Sequence, residues 1–151
     1  MADRLWAVVT RSNERPLCEN PATLSRRLVV LPSFGQPRVL RIERTDAQWR
    51  LVWTQLGGRG GYELGEVVDH RERDVSGDDG DRVARQLGSL DALMRKRDGL
   101  GRKGTDGTVW LVESWSGERQ HVAAAWSPRG QLEDVLRELL RAVDDECLDC
   151  D

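Results

Sequence analysis

Two apolar strands joined by a tight turn, with an amphipathic helix directly behind them, constrain this chain more than any other stretch. Residues 108–115 and 119–126 are rich in Val, Trp and Ala, and Ser116-Gly117 between them suits a two-residue hairpin loop. With that loop, Trp110 faces Ala123, Leu111 faces Val122 and Val112 faces His121. One side of the hairpin then carries Val109, Leu111, Val122, Ala124 and Trp126, and the other carries Trp110, Val112, His121, Ala123 and Ala125. Both sides are mostly apolar, so the hairpin is expected at the centre of a sheet with a helix over at least one face. Ser127-Pro128 reads as a helix cap with Pro in the first turn. Over residues 131–143, Leu132, Val135, Leu136, Leu139, Leu140 and Val143 form a wide apolar stripe that should pack on that sheet.

Upstream, residues 5–10 are a short apolar run rich in β-formers and read as a strand, and residues 26–31 read as a second. Residues 38–44 alternate like a half-exposed strand, Leu40 and Ile42 to one side and Val39, Arg41 and Glu43 to the other. Residues 49–54 put Trp49, Leu51 and Trp53 on one face of a further strand. Short connections favour an antiparallel meander. Four glycines around Arg59, over residues 57–61, predict a flexible loop, while residues 62–73 are compatible with strand or helix. The acidic segment 74–81 reads as a loop whose Asp side chains can cap a helix and complement its dipole. That helix, at about 81–97, has Val83, Leu87, Leu90 and Met94 in one stripe. Arg95, Lys96 and Arg97 close its last turn and Gly99 stops it. The expected fold is α+β: an antiparallel sheet of about six strands with two main helices in the C-terminal half. One domain is expected over residues 1–143, with an acidic, frayed tail at 144–151.

Asp106-Gly107-Thr108-x-Trp110-x-x-Glu113, then His121, then Trp126-Ser127-Pro128 and an amphipathic helix resembles a module of uncharacterised bacterial single-domain proteins. The resemblance covers about a quarter of the chain. It implies the sheet-and-helix arrangement above and brings no activity with it.

Motifs of reaction chemistry fail on spacing or context. Counted from Asp74, the positions that an EF-hand fills with Gly and Glu hold Asp79 and Arg85. Residues 99–104 match G-x-G-x-x-G, but they follow a helix and precede a strand, the reverse of a dinucleotide site. Cys147 and Cys150 have zinc half-site spacing, and the remaining candidate donors, Cys18, His70 and His121, do not pair at metal-knuckle spacing. His121 and Glu113 project to opposite faces of the hairpin, so they make no acid–base pair, and His121 reads as a core-rim residue. No catalytic residue, metal or cofactor is assigned on these grounds.

No apolar run approaches the roughly 20 residues that span a bilayer, and three cysteines suit a reducing compartment, so a cytoplasmic location is expected. The net charge of −3 is unevenly spread. Residues 1–60 hold ten basic against five acidic side chains, and residues 131–151 hold two against eight. The surface features left for binding are Arg59, the exposed aromatic expected at Trp115 (with Trp6), and the basic patch Arg95, Lys96 and Arg97. The acidic balance counts against nucleic acid as the partner of that patch. A non-catalytic module that binds another protein is the favoured reading, as an immunity- or antitoxin-type inhibitor or an accessory subunit of a bacterial complex. An enzyme assembled around His121, Glu113, Asp78 and Asp81, or a nucleic-acid-binding accessory protein, are the alternatives.

Overall fold

Strand β1 (Leu24–Pro32) is buried on both faces along almost its whole length, and the rest of the chain is arranged around it. In the computed structural model, residues 2–14, 16–17, 24–46, 48–59, 63–95, 106–116 and 119–143 are described. The other strands are β2 (Arg38–Thr45), β3 (Gln48–Leu56), β4 (Val67–Val75), β5 (Thr108–Ser116) and β6 (Arg119–Trp126). They form one antiparallel sheet in the order β4-β3-β2-β1-β5-β6. Helices α2 (Gly77–Arg95) and α3 (Gln131–Arg141) lie in the C-terminal half, and α1 (Ala2–Arg11) precedes the sheet. This is the α+β architecture expected, with one helix more.

The two faces have separate cores. Leu28, Leu40, Ile42, Leu51, Trp53, Trp110 and Val112 pack with Val83, Leu87 and Leu90 of α2 and with Leu132, Leu136 and Leu139 of α3. On the other face, Val29, Leu31, Val39, Leu56 and Leu111 pack with Val8 and Val9 of α1. Strand β2 is therefore not half-exposed: Val39 and Glu43 are as buried as Leu40 and Ile42. Alternation of polar and apolar residues suggested a solvated face, but here Glu43 is buried and Arg41 largely so, each with a partner.

Residues 5–10 are helical, which corrects the strand expected there. Five consecutive apolar residues carry no period of their own, so neighbouring surface decides. Val8, Val9 and Ser12 fall on one side of a helix and meet the sheet, and Trp6, Ala7 and Thr10 face outward. Of residues 62–73, compatible with strand or helix, residues 67–73 belong to β4, which runs on to Val75. The strand number came out right because these two differences offset each other.

The hairpin differs in register and in place. Trp110 pairs with Ala125, Leu111 with Ala124 and Ser116 with Arg119, so the connection is residues 117–118, outside the described residues. The shift is two residues, and a two-residue shift keeps every side chain on its expected face. The hairpin is not central: β5 pairs with β1, and β6 ends the sheet. Helix α3 begins after Gly130, whose φ of 63° suits glycine, and Ser127-Pro128 stands outside it. The Ser127 hydroxyl accepts the N–H of Thr108 at 3.0 Å instead. The acidic segment 74–81 is no loop, because β4 runs to Val75 and α2 starts at Gly77.

Gly57 and Gly58 are held, not loose. Their N–H groups donate to the carbonyls of Glu66 (2.8 Å) and Leu64 (3.0 Å), and Arg59 bridges to Glu63. A Cβ on Gly58 would lie 1.9 Å from the Glu63 carbonyl oxygen, so only glycine allows this approach. Gly58→Ala is expected to destabilise the fold by about 1–3 kcal/mol, as overpacking does; urea unfolding with both proteins measures it.

Candidate binding surface

The expected site residues do not gather into one site. Arg59 is exposed in its bridge with Glu63, beyond the end of β3. Trp115 is half-buried on β5 opposite Ser25 and Gln120. That corrects its choice as an exposed aromatic: β5 lies inside the sheet, with a paired strand on each side. Trp6 is exposed, at 40%. Arg95 is the last residue of α2, whereas Lys96 and Arg97 lie outside the described residues, as do Cys18, Cys147 and Cys150.

The residues of the scattered enzyme reading do not converge either. His121 is exposed on β6 opposite Ser114, not tucked at the core rim, because β6 is an edge. Asp78 and Asp81 are exposed on α2, over one face of the sheet, whereas Glu113 is buried on the other. Among the described residues no group of His, Cys, Asp and Glu is arranged to hold a metal ion, and no helix is long and apolar enough to cross a membrane.

Glu113 belongs to a buried ion cluster that motif reading missed. Helix α1 ends in a Schellman turn: Asn13 at φ 55°, Glu14 N–H on the Val9 carbonyl (3.0 Å), Asn13 N–H on that of Thr10 (3.2 Å). This turn delivers Glu14 onto the sheet, where Arg27 and Arg41 stand directly opposite each other on β1 and β2. Arg41 donates from Nε to Glu14 at 2.7 Å and also pairs with Glu43. Arg27 is 3.6 Å from Glu14 and 2.5 Å from Glu113, and Gln120 donates to the other Glu113 oxygen at 2.7 Å. Arg27 and Glu113 are 0% and 1% exposed. The side chains of Arg27, Glu113 and Glu14 are almost wholly buried, while Arg41 and Gln120 lie at the rim, so the centre of the cluster ties β1, β2 and β5 to the turn after α1. Its sequence signal was Arg26-Arg27 inside a strand of otherwise buried residues: consecutive residues face opposite ways, so each needed its own carboxylate. Arg26 finds Asp91 of α2 at 3.0 Å.

The two edges of the sheet differ in charge. Strand β4 presents six consecutive ionisable side chains, residues 69–74, nearly all exposed. Its Glu72 pairs with Arg50 of β3, and that hydrogen bond holds the Glu72 carboxyl below its usual range and raises the Arg50 guanidinium. Charges of this kind guard an edge against added strands. Strand β6 has no such guard: from Gln120 to Trp126 it carries no Lys, Arg, Asp or Glu, and Val122 is 40% exposed. The ladder continues into Ser127, whose N–H donates to the Thr108 carbonyl at 2.7 Å. Odd-numbered residues of β6 thus bond inward, and the backbone groups of Gln120, Val122 and Ala124 point out. Among the described residues, β5 is the one hydrogen-bonded neighbour of β6.

Removing one partner of the buried cluster should cost far more than removing both. Glu113→Ala leaves Arg27 without its nearest carboxylate and is expected to destabilise by about 3–5 kcal/mol. The pair Arg27→Met with Glu113→Leu is expected to recover most of that loss, which chemical unfolding of the three proteins checks.

No protein-family model matches the chain, and no curated protein matches its sequence.

Proposed function

We propose that this protein is a non-catalytic interaction module that binds another protein by accepting an extended segment of it as a seventh strand beside β6. The inhibitor role of an immunity or antitoxin protein, or that of an accessory subunit, suits such a surface, and a cytoplasmic setting suits the three cysteines. The observation that carries the reading is the contrast between edges: β4 is guarded by six consecutive ionisable residues, whereas β6 beyond Arg119 carries no Lys, Arg, Asp or Glu and has outward backbone donors and acceptors. Strand addition draws its affinity from main-chain hydrogen bonds and its specificity from alternate side chains. Here those are His121, Ala123 and Ala125 towards the α2–α3 face and Val122 and Ala124 towards the α1 face. The small alanines let a partner strand lie close.

Val122→Pro removes one outward N–H without touching the β5 ladder, and Val122→Lys places a charge on the edge as β4 does. Wild-type protein is expected to retain a reproducible partner from native lysate, and both variants, folded by circular dichroism, are expected to lose it. A solitary wild-type monomer, or variants that keep the partner, would overturn the reading. So would a concentration-dependent homodimer abolished by Val122→Pro, which would seat a second copy on the edge.

A further inference from the structure

We infer a second, independent binding site: an arginine-lined cleft between α3 and the ends of β1, β2 and β5 that takes the phosphate group of a small phosphate monoester. The cleft has a volume of about 270 Å³ and is bounded by Arg38, Arg129, Arg137 and Arg141, with Trp110 among its apolar walls. That volume lies just below the roughly 300–1,000 Å³ of drug-sized ligand pockets, which suits one compact group.

Sequence places these arginines together only through the fold. Arg137 and Arg141 are one turn apart on α3, so they share a side of the helix. Arg38 opens β2 on the same sheet face as Leu40 and Ile42, and Arg129 stands exposed in the turn before α3. Glu133 is the one carboxylate in the lining, and it holds Arg137 at 3.0 Å. Glu138, outside the lining, holds Arg141 at 2.6 Å. With both carboxylates counted, four guanidinium groups face two negative charges.

The surplus sits in a protein whose net charge is −3, so it is not a general property of the surface. Arg38 and Arg141 each keep a buried Nε with no hydrogen-bond partner among the described residues. A buried donor left unpaired costs on the order of 1–3 kcal/mol; Arg26 holds such a donor elsewhere in the fold, so it is the charge surplus that marks the cleft. A guanidinium fork meets a tetrahedral oxyanion with parallel N–H donors. A phosphate monoester carries about −1.5 to −2 at neutral pH, which matches the two uncompensated charges; a carboxylate supplies half of that. Trp110 and Pro128 add an apolar wall against which the short carbon portion of a small monoester can rest.

The test is calorimetric titration and thermal unfolding of the full chain with inorganic phosphate, glycerol 3-phosphate and acetate at matched ionic strength. Both phosphates are expected to bind saturably at one site and to raise the unfolding midpoint, and acetate is expected to do neither. Arg129→Gln lies on the exposed rim and should fold as wild type while weakening phosphate roughly tenfold or more. Arg38→Met is expected to abolish the phosphate-induced shift and, having lost an unpaired buried donor, to unfold at a higher temperature than wild type without ligand. Absence of saturable phosphate binding, equal binding of acetate, or undiminished binding by Arg129→Gln would overturn the inference. Neither result bears on the β6 edge, which lies outside the cleft.

Discussion

A guanidinium removed from water at the centre of the sheet sets the terms for the rest of this structure. Arg27 lies in the middle of β1, fully buried, where a charge without a counter-charge would cost several kcal/mol. Its carboxylates come from sequence positions on either side of it: Glu14, from the turn after α1, and Glu113, from the penultimate strand. Arg41 directly opposite would repel Arg27, and Glu14 lies between them as the shared partner. One cluster therefore ties the N-terminal helix, the meander and the C-terminal hairpin together. It also pins register, because sliding β5 by one residue would put Glu113 on the opposite face and leave Arg27 alone.

The two faces divide the work of stability. The face under α2 and α3 is apolar almost throughout and carries the larger core. The face under α1 has a smaller apolar cluster next to the ion cluster. Arg26 and Arg27, adjacent in sequence, serve one face each, through Asp91 and through Glu14 with Glu113. The helices lie over the faces of the sheet and, among the described residues, do not pair the outward backbone groups of its edge strands, β4 and β6. Strand β4 guards its edge with charge; β6 does not, and the binding role proposed for the protein follows from that difference.

The arginine cleft has another origin. It forms where the first residue of β2, the turn before α3 and one side of α3 meet, and no one of these segments is unusual alone. The strand addition proposed at the β6 edge and the anion site inferred in the cleft call for different ligands, so neither proposal depends on the other.

Much of the fold was legible in the sequence. Alternation placed Leu40, Ile42, Leu51 and Trp53 in one core, and helical spacing placed Val83, Leu87, Leu90 and Met94 on the buried side of α2. Even the face of each hairpin residue came out right despite the shifted register, because face depends on parity alone. Local pattern determined these things since a period of 2 or 3.6 is a property of neighbouring residues. Tertiary structure decided the rest. Whether residues 5–10 were helix or strand depended on the surface they meet. Glu113 became a structural counter-ion instead of a catalytic candidate because β5 lies beside β1. His121 became exposed because β6 ends the sheet. The apolar stretch 108–143 looked like the centre of the molecule, but centrality is a matter of strand order, and strand order is set by which segments lose most by remaining in water. Here that segment was β1, whose two arginines concealed it.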